Sequence, residues 1–189
     1  MIHPHTGLLD LGEPLGIALV ATQCIPRGTV TWARDPLDQL LPAALVASLP
    51  PLFAQLRIRF AYPDADGAWL LPWDDTRFMN HACEPNCALT AFGFEIAVRD
   101  IAVGEPLTND YAMLNLAPDE RIDCACGSAH CRGSITFRDQ HALAPTWDAW
   151  IADALRVADS VDQPLGLLLA PGAMQAAASH HRAPEQAAS

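Results

Sequence analysis

Three cysteines within eight residues have the spacing of metal ligands. They are Cys124, Cys126 and Cys131, in a segment rich in glycine and charge. Structural zinc takes four ligands in a tetrahedron, most often thiolates. The fourth ligand must therefore come from elsewhere in the chain, and Cys83 or Cys87 could supply it. Reduced thiols packed in a core are the alternative, but such a segment favours metal binding.

His130 and Cys24 are not expected to be ligands of this metal ion. His130 directly precedes Cys131, so its geometry for binding the same ion is poor. Cys24 lies in an apolar stretch and is predicted to be a small buried hydrophobe. A thiol redox role for Cys124 and Cys126 is a distant alternative, because the chain has no C-x-x-C motif of the thioredoxin kind.

Two further motifs precede the cysteine segment. Residues 77–86 form the pattern R-F-x-N-H-x-C-x-P-N, and residues 104–111 form G-E-x-L-x-x-D-Y. The cysteines then follow as C-x-C-G-x-x-x-C-R-G, over residues 124–133. In this order the motifs resemble the SET domain family with its post-SET zinc motif, which consists of protein-lysine methyltransferases that use S-adenosylmethionine. The resemblance covers about residues 12–135 and is to the short bacterial or viral type.

The resemblance implies a cofactor site and a catalytic tyrosine. Tyr111 matches the tyrosine of the family's D-Y pair, its most important catalytic side chain. The residues implied in cofactor binding are Gly16, Ile17, Ala18, Leu19, Arg77, Phe78, Asn80, His81 and Tyr111. Ala18 stands where family members often have a second glycine.

The resemblance also selects among the metal ligands. It implies that Cys83 joins Cys124, Cys126 and Cys131 around one structural zinc ion, and that Cys87 is a neighbour. The zinc would hold the loop after Cys124 over the cofactor and over one wall of the lysine channel.

Three residues are expected at the substrate channel, namely Asn109, Trp32 and Tyr62. Asn109 stands two residues before Tyr111, where the family usually has Phe or Tyr. Because asparagine is shorter, we expect room for di- or trimethylation. A lysine with a pKa of about 10.4 must lose a proton before it can accept a methyl group. We expect that proton to leave to solvent before the channel closes, without a dedicated base.

The predicted fold class is mainly β, with small curved sheets, knot-like threading of the segments around Asn80 and Asp110, a post-SET zinc loop and a C-terminal helix. The expected units are a SET domain over 12–115, a zinc loop over 120–136, a helical extension over 145–175 and a disordered tail over 176–189. Two strands joined by a tight turn are predicted within 15–33, a weak helix over 35–56 and a hairpin over 57–71. Thr146 is expected to cap a helix that packs Trp147 and Trp150 into the core. His180 and His181 are expected to be incidental.

Composition limits the partners. The chain has 189 residues and a net charge of -11, and its eleven basic residues are all arginine. An acidic surface disfavours binding to nucleic acid and favours a cationic partner. With no signal or membrane segment in the sequence, we expect a cytoplasmic protein, and delivery to a host cell stays open, as does the oligomeric state. The expected function is methylation of lysine in a basic protein segment. The alternative is a SET-fold module with weak or no activity that binds a basic peptide.

Overall fold

The computed structural model describes residues 1–53, 60–64 and 67–181. Its strands are β1 (Thr6–Asp10), β2 (Ile17–Ala21), β3 (Val30–Ala33), β4 (Gln39–Leu41), β5 (Tyr62–Pro63), β6 (Trp69–Leu71), β7 (Asn80–His81), β8 (Cys87–Leu89), β9 (Phe94–Ala97), β10 (Thr108–Asn109), β11 (Arg121–Asp123) and β12 (Ser134–Thr136). Its α-helices are α1 (Ala43–Ser48), α2 (Phe137–Leu155) and α3 (Ala173–His180).

The strands form small sheets, as short strands between glycine and proline turns predict. Two of the sheets are the antiparallel pairs β1–β2 and β11–β12, and two are three-stranded, in the orders β3–β9–β8 and β4–β6–β5. A separate pair, β7–β10, is parallel. The predicted fold class is therefore confirmed: small β-sheets dominate the part before α2.

The sheet β3–β9–β8 separates two environments. Phe94 and Ile96 of β9 point towards α2 and α3, where they pack with Ile151 and Ala177 in the main core. Successive side chains of a strand point to opposite faces. Glu95, which lies between those two residues, therefore faces away from the helices.

The connection between β2 and β3 differs from the predicted tight turn. The two strands belong to different sheets, because β2 pairs with β1, which the sequence analysis missed. Residues 22–29 carry the chain from one sheet to the next and are held by the bridge between Ile25 and Ile101. Cys24 lies in this connection and is exposed, so its predicted burial is wrong.

The middle of the chain is more extended than predicted. β4 occupies the start of the predicted helix over 35–56, and α1 begins only after Pro42. Residues 54–56 of that prediction lie outside the described residues, as do residues 57–59, 65 and 66 of the hairpin predicted over 57–71. The hairpin is confirmed for its paired strands, since Tyr62 pairs with Leu70 across β5 and β6, whereas Phe60 at its start is helical.

The C-terminal helices begin earlier and extend further than the sequence indicates. α2 begins at Phe137, because Thr136 and Asp139 form a capping box, and it continues through Pro145 past the predicted cap at Thr146. α3 covers residues 176–180 of the predicted disordered tail, since its buried alanines pack on the main core. Residues 182–189 of that tail lie outside the described residues. His181 is not incidental: it is buried, and its Nδ1 lies 2.7 Å from Oδ1 of Asp148.

Trp147 of α2 is buried, as predicted, and packs with Ile135 and Leu116. In the described residues we find no helix with the length and apolar character needed to span a bilayer.

Gly28 joins the sheet to the end of α2. Its φ is +89°, and a Cβ there would lie 2.9 Å from the carbonyl oxygen of Ala154. Gly28→Ala should lower the free energy of unfolding by about 2 kcal/mol or more, because backbone strain of roughly 1–3 kcal/mol adds to this clash. Urea unfolding measures the loss. Gly104→Ala is the matched control, since its φ is +80° but its Cβ would meet open space; equal losses in the two variants would contradict the clash.

Candidate active site

Parallel pairing of two short strands builds the centre of the candidate site. Asn80 and His81 of β7 pair with Thr108 and Asn109 of β10. The chain turns directly after β10 into a 3-10 turn, Tyr111–Met113. The two motifs, about thirty residues apart in the sequence, are therefore neighbours, and Tyr111 lies against the ring of His81 with 5.5 Å between the ring centroids.

Two adjoining clefts open beside this centre. Leu15, Asn80, Tyr111 and Ile122 line both of them. The first cleft also has His81, Cys124 and Cys126 in its wall, and the second has Ile17, Phe78 and Arg77. The amide of Asn80 donates to the carbonyl oxygens of Leu15 and Ile17, at 3.4 and 3.3 Å, and so fixes the segment around Gly16 at the rim.

The predicted cofactor residues are distributed unevenly around these clefts. Ala18 and Leu19 are fully buried, and Leu19 packs in a core cluster with Ile101 and Leu107. Gly16 has a φ of +66° and open space where a side chain would project. Leu15 and Ile122 line both clefts although the sequence analysis did not select them; apolar residues of this kind give no signal in a sequence.

Hydrogen bonds fix both Tyr111 and the tautomer of His81. The Tyr111 hydroxyl donates to the carbonyl oxygen of Met79 at 2.9 Å. The Tyr111 backbone N–H donates to Nδ1 of His81 at 3.2 Å. Nδ1 is therefore an acceptor, and the network assigns the ring proton to Nε2. Burial lowers the pKa of His81 to about 4, so the ring is neutral at pH 7.

The four predicted cysteine ligands come together. The Cys124 sulfur lies 3.7 Å from that of Cys83 and 3.6 Å from that of Cys131. Cys126 belongs with Cys83, Cys124 and His81 to a group in which each potential ligand atom lies within 4.8 Å of the others. Cys131 is not a member of that group and adjoins it through its contact with Cys124. Four thiolates at about 2.3 Å from a tetrahedral zinc ion would be about 3.8 Å apart, so the observed separations fit that ion.

His81 also lies within the cysteine group, but its proton disfavours it as a ligand. Its Nε2 is 3.4 Å from the Cys83 sulfur. Because Nε2 carries the proton, it has no lone pair for a metal and instead donates to the sulfur. Burial raises the pKa of the Cys83 and Cys124 thiols, and a divalent cation would offset this and hold them as thiolates. The group can hold a metal ion with four sulfur ligands and one donor behind them.

A buried ion pair joins the cysteine loop, residues 124–133, to the tyrosine turn, Tyr111–Met113 with its cap Asp110. Two nitrogens of the Arg132 guanidinium contact the two carboxylate oxygens of Asp110, at 2.8 and 2.7 Å. Asp110 is fully buried, and it also accepts from the backbone N–H of Ala112 within the turn. The backbone N–H of Arg132 lies 3.4 Å from the Cys83 sulfur. In the sequence, Arg132 is marked only by its place in the cysteine motif, directly after Cys131.

A third opening lies on the other side of the tyrosine turn. It is a cavity of about 420 Å³ that shares no lining residue with the two clefts. Trp32 and Tyr62, both predicted for the substrate channel, line it, together with Met113 from the turn. Asn109 is buried and does not line it directly.

These features coincide with one family of proteins. A model of the SET domain matches residues 16–112, which are 97 of the 189 residues. The chain belongs to the SET domain family. The matched range ends within the turn Tyr111–Met113, so the cysteine loop and α2 follow the SET domain.

Similar proteins are named as methyltransferases. The chain is 36% identical over 83 residues to the histone-lysine N-methyltransferase ASHR3 of Arabidopsis thaliana. It is 38% identical over 73 residues to the histone-lysine N-methyltransferase ash1 of Drosophila melanogaster, and 42% over 69 residues to the H3 lysine-4 specific enzyme of Saccharomyces cerevisiae. These alignments cover 39%, 35% and 31% of this chain, but only 16%, 3% and 6% of those proteins.

One polar contact of this SET domain was not expected. The amide of Asn109 donates to Oε1 of Glu95 at 2.8 Å, and both residues are buried. Burial raises the pKa of Glu95 to about 7. The sequence places Glu95 only in a predicted strand, and nothing in that pattern indicates which face it occupies.

Among the described residues, Cys87 and His130 lie outside the group of potential ligand atoms. Cys87 is fully buried in the core, and burial raises the pKa of its thiol far above the usual range. His130 is exposed, and its Nδ1 lies 2.8 Å from Oε1 of Glu84. Both agree with their expected exclusion from the ligand set.

Loss of Arg132 should destabilise the SET domain. Arg132→Ala leaves the Asp110 carboxylate buried without its partner, which costs roughly 3–5 kcal/mol. Arg156→Ala is the control, because Arg156 pairs with Asp153 at the surface and such pairs contribute about 0–1 kcal/mol. The difference should appear in the midpoint of urea unfolding, and similar midpoints for the two variants would refute the importance of the buried pair.

Proposed function

We propose that this chain is an S-adenosylmethionine-dependent protein-lysine N-methyltransferase that acts on a basic protein segment. The observation that carries the proposal is the position of the turn Tyr111–Met113, with the two clefts on the side of Tyr111 and the separate cavity on the side of Met113. A methyl donor in the clefts and a lysine in the cavity would then approach each other at Tyr111. The names of the similar proteins support the reaction class.

The clefts have the lining that the cofactor requires. S-adenosylmethionine supplies the methyl group, on a positively charged sulfur. The amide oxygen of Asn80 and the open space beside Gly16 suit the polar parts of such a ligand, and the Phe78 ring suits a flat base. Arg77 lies in the same wall and could meet a carboxylate.

The cavity has a lining suited to a lysine side chain. Aromatic walls from Trp32 and Tyr62 would hold its methylene groups and attract its charged end. Burial in such a channel lowers the pKa of an amine and so favours the free base that the reaction needs. The expectation that Asn109 leaves room for di- or trimethylation stays a prediction.

Tyr111 is proposed to align the reacting groups. Its hydroxyl is held by the Met79 carbonyl, and its ring is held by His81, so its position is fixed before any ligand arrives. Burial and the nearby Glu95 raise the pKa of Tyr111 to about 12, which keeps the hydroxyl protonated. Alignment of this kind supplies much of the acceleration in a transfer between two bound groups.

The cysteine group is proposed to bind one structural zinc ion through Cys83, Cys124, Cys126 and Cys131. Because Cys124 and Cys126 form part of a cleft wall, the ion would fix that wall. The residues 124–131 have little regular structure of their own, so the metal would supply folding free energy here.

The net charge supports a basic substrate. At -11, the chain attracts a lysine-rich segment at long range and repels nucleic acid.

Tyr111→Phe should lower methyl transfer by about 100-fold or more, since loss of the hydroxyl frees the alignment at the reacting atoms. The test incubates labelled S-adenosylmethionine with mixed histones or a cell extract and compares the variant with the wild type. Because the chain contains no lysine, a labelled methyl-lysine found after the incubation cannot have formed on the protein itself.

Binding of the cofactor gives the control for that experiment. Calorimetry should show that Tyr111→Phe binds S-adenosylmethionine within a few-fold of the wild type. A wild-type chain that binds none would eliminate the methyltransferase and leave the peptide-binding module as the function. Equal labelling by both proteins would eliminate the role of Tyr111.

Cys131→Ser should reduce bound zinc from about one ion per chain and weaken cofactor binding, because the cleft wall loses its tie. Metal analysis after dialysis against a mild chelator measures the first effect. Cys24→Ser is the matched control, since Cys24 is exposed outside the cysteine group. Zinc retained by Cys131→Ser but lost from His81→Ala would reverse the assignment of the fourth ligand.

A further inference from the structure

A buried carboxylate, that of Glu95, lies beneath residues that line the proposed substrate cavity. In the sheet β3–β9–β8, Glu95 pairs with Trp32 on one side and with Leu89 on the other. Paired residues on adjacent strands project to the same face of a sheet. Because Trp32 and Leu89 both line the cavity, Glu95 lies between them beneath it.

One oxygen of this carboxylate has no partner. Oε1 accepts from the Asn109 amide, but Oε2 is buried and makes no hydrogen bond. Among the described residues no arginine or histidine forms an ion pair with Glu95. Leaving a buried carboxylate oxygen unpaired costs free energy, so such an atom in a native structure calls for an external partner.

The side-chain oxygen of Asn109 is a second unpartnered acceptor at this place. It is buried and makes no hydrogen bond, although the amide nitrogen of the same side chain contacts Glu95. Trp32 Nε1 is a buried donor without a partner beside them, and Arg34 lies in the same cavity wall. The two acceptors suit a ligand group that donates hydrogen bonds. An alkylammonium group has three N–H donors and no acceptor.

The carboxylate also lies close to the reacting centre. Asn109, which holds it, is two residues before Tyr111, and the turn that begins at Tyr111 places Met113 in the cavity wall. Tyr62, across the cavity, has its pKa raised by burial and by the charge of Glu95. Glu95 is thus near both the cavity wall and the tyrosine.

We propose that Glu95 is a catalytic base: its free oxygen binds the ε-ammonium group of the substrate lysine and accepts one proton from it. The step converts a lysine ammonium and a carboxylate into a neutral amine and a carboxylic acid. The amine lone pair then forms the new N–C bond as the S–CH₃ bond breaks, and the sulfur keeps the bonding electrons. The carboxylic acid releases its proton to solvent when product leaves. This deepens the proposed function and depends on it.

The charges around Glu95 agree with this role. Burial raises its pKa to about 7, which suits a base at neutral pH. The titratable groups that face it are Tyr62, Tyr111 and Cys87, all neutral at that pH because burial and the charge of Glu95 raise their pKa values. Arg34 and Asp64 line the same cavity and are of opposite charge. The proposal differs from the expectation that the proton leaves to solvent without a dedicated base, which stays a prediction.

The pH dependence of kcat/KM tests the base. With mixed histones as substrate, the wild type should rise with pH to about 7 and then level until the lysine itself deprotonates, near pH 10. Glu95→Gln keeps an acceptor for Asn109 but cannot take a proton. Its kcat/KM should be lower by about 100-fold at pH 7 and should climb tenfold per pH unit up to about pH 10. Glu95→Asp should recover the inflection.

Two measurements separate this proposal from its possible failures. Glu95→Gln must bind S-adenosylmethionine like the wild type, which shows that it folds; if it does not, Glu95→Asp alone is compared. Identical pH profiles for the wild type and Glu95→Gln would overturn the base while leaving the methyltransferase intact.

Binding of n-butylammonium, measured by calorimetry with S-adenosylhomocysteine present, needs no turnover. It should weaken at least tenfold in Glu95→Gln and stay unchanged in Cys24→Ser, because Cys24 is exposed and lies outside the site. If the ammonium ion binds in this way but no protein is labelled, the proposed function fails and the ammonium site stands. Equal binding by the wild type and Glu95→Gln would overturn the site.

Discussion

The structure of the site depends on the buried ion pair between Asp110 and Arg132. A carboxylate with no exposed surface requires a fixed cationic partner, and two parallel contacts from one guanidinium meet that need. Asp110 belongs to the tyrosine turn and Arg132 to the cysteine loop, so one interaction joins the two. A metal ion in the cysteine group would act on the same loop from its other end. The position of Tyr111 is therefore fixed by three contacts: the ion pair of the adjacent Asp110, the ring of His81, and the parallel pairing of β7 with β10.

The short turn Tyr111–Met113 is what keeps the two ligand sides apart. Tyr111 faces the clefts and Met113 faces the cavity, only two residues along the chain. Because the turn is short, a proton would have only a short distance to travel past it. The carboxylate of Glu95 lies on the cavity side of the turn. The pairing with Trp32 and Leu89 fixes that carboxylate, since a shift of register by one residue would turn it into the helical core.

The sequence predicts the chemistry of this site better than its architecture. The cysteines, Asn80, His81 and Tyr111 lie together as expected. The cysteines have the spacing of metal ligands, and the resemblance to the SET domain family selects the other three residues. Glu95 and Arg132 could not be selected in this way, since each acts through a partner far away in the chain. The connection after β2 was missed for a similar reason, because the pairing of β2 with β1 outweighs local propensity. The start of α2 differs, because the capping box of Thr136 and Asp139 is a local signal that the sequence contains. The exposed position of Cys24 follows from that same connection.

The absence of lysine gains a physical meaning from the cavity. A channel that binds an alkylammonium ion through two free acceptors would also bind a flexible lysine of its own surface, and such a residue would compete with substrate at high effective concentration. All basic side chains of this chain are arginine. A guanidinium stays protonated at any pH that the protein experiences, and it is wide and planar, so it cannot become the free amine that the reaction needs. Under the proposed function, the side chain that completes the site would therefore come from a lysine of another molecule.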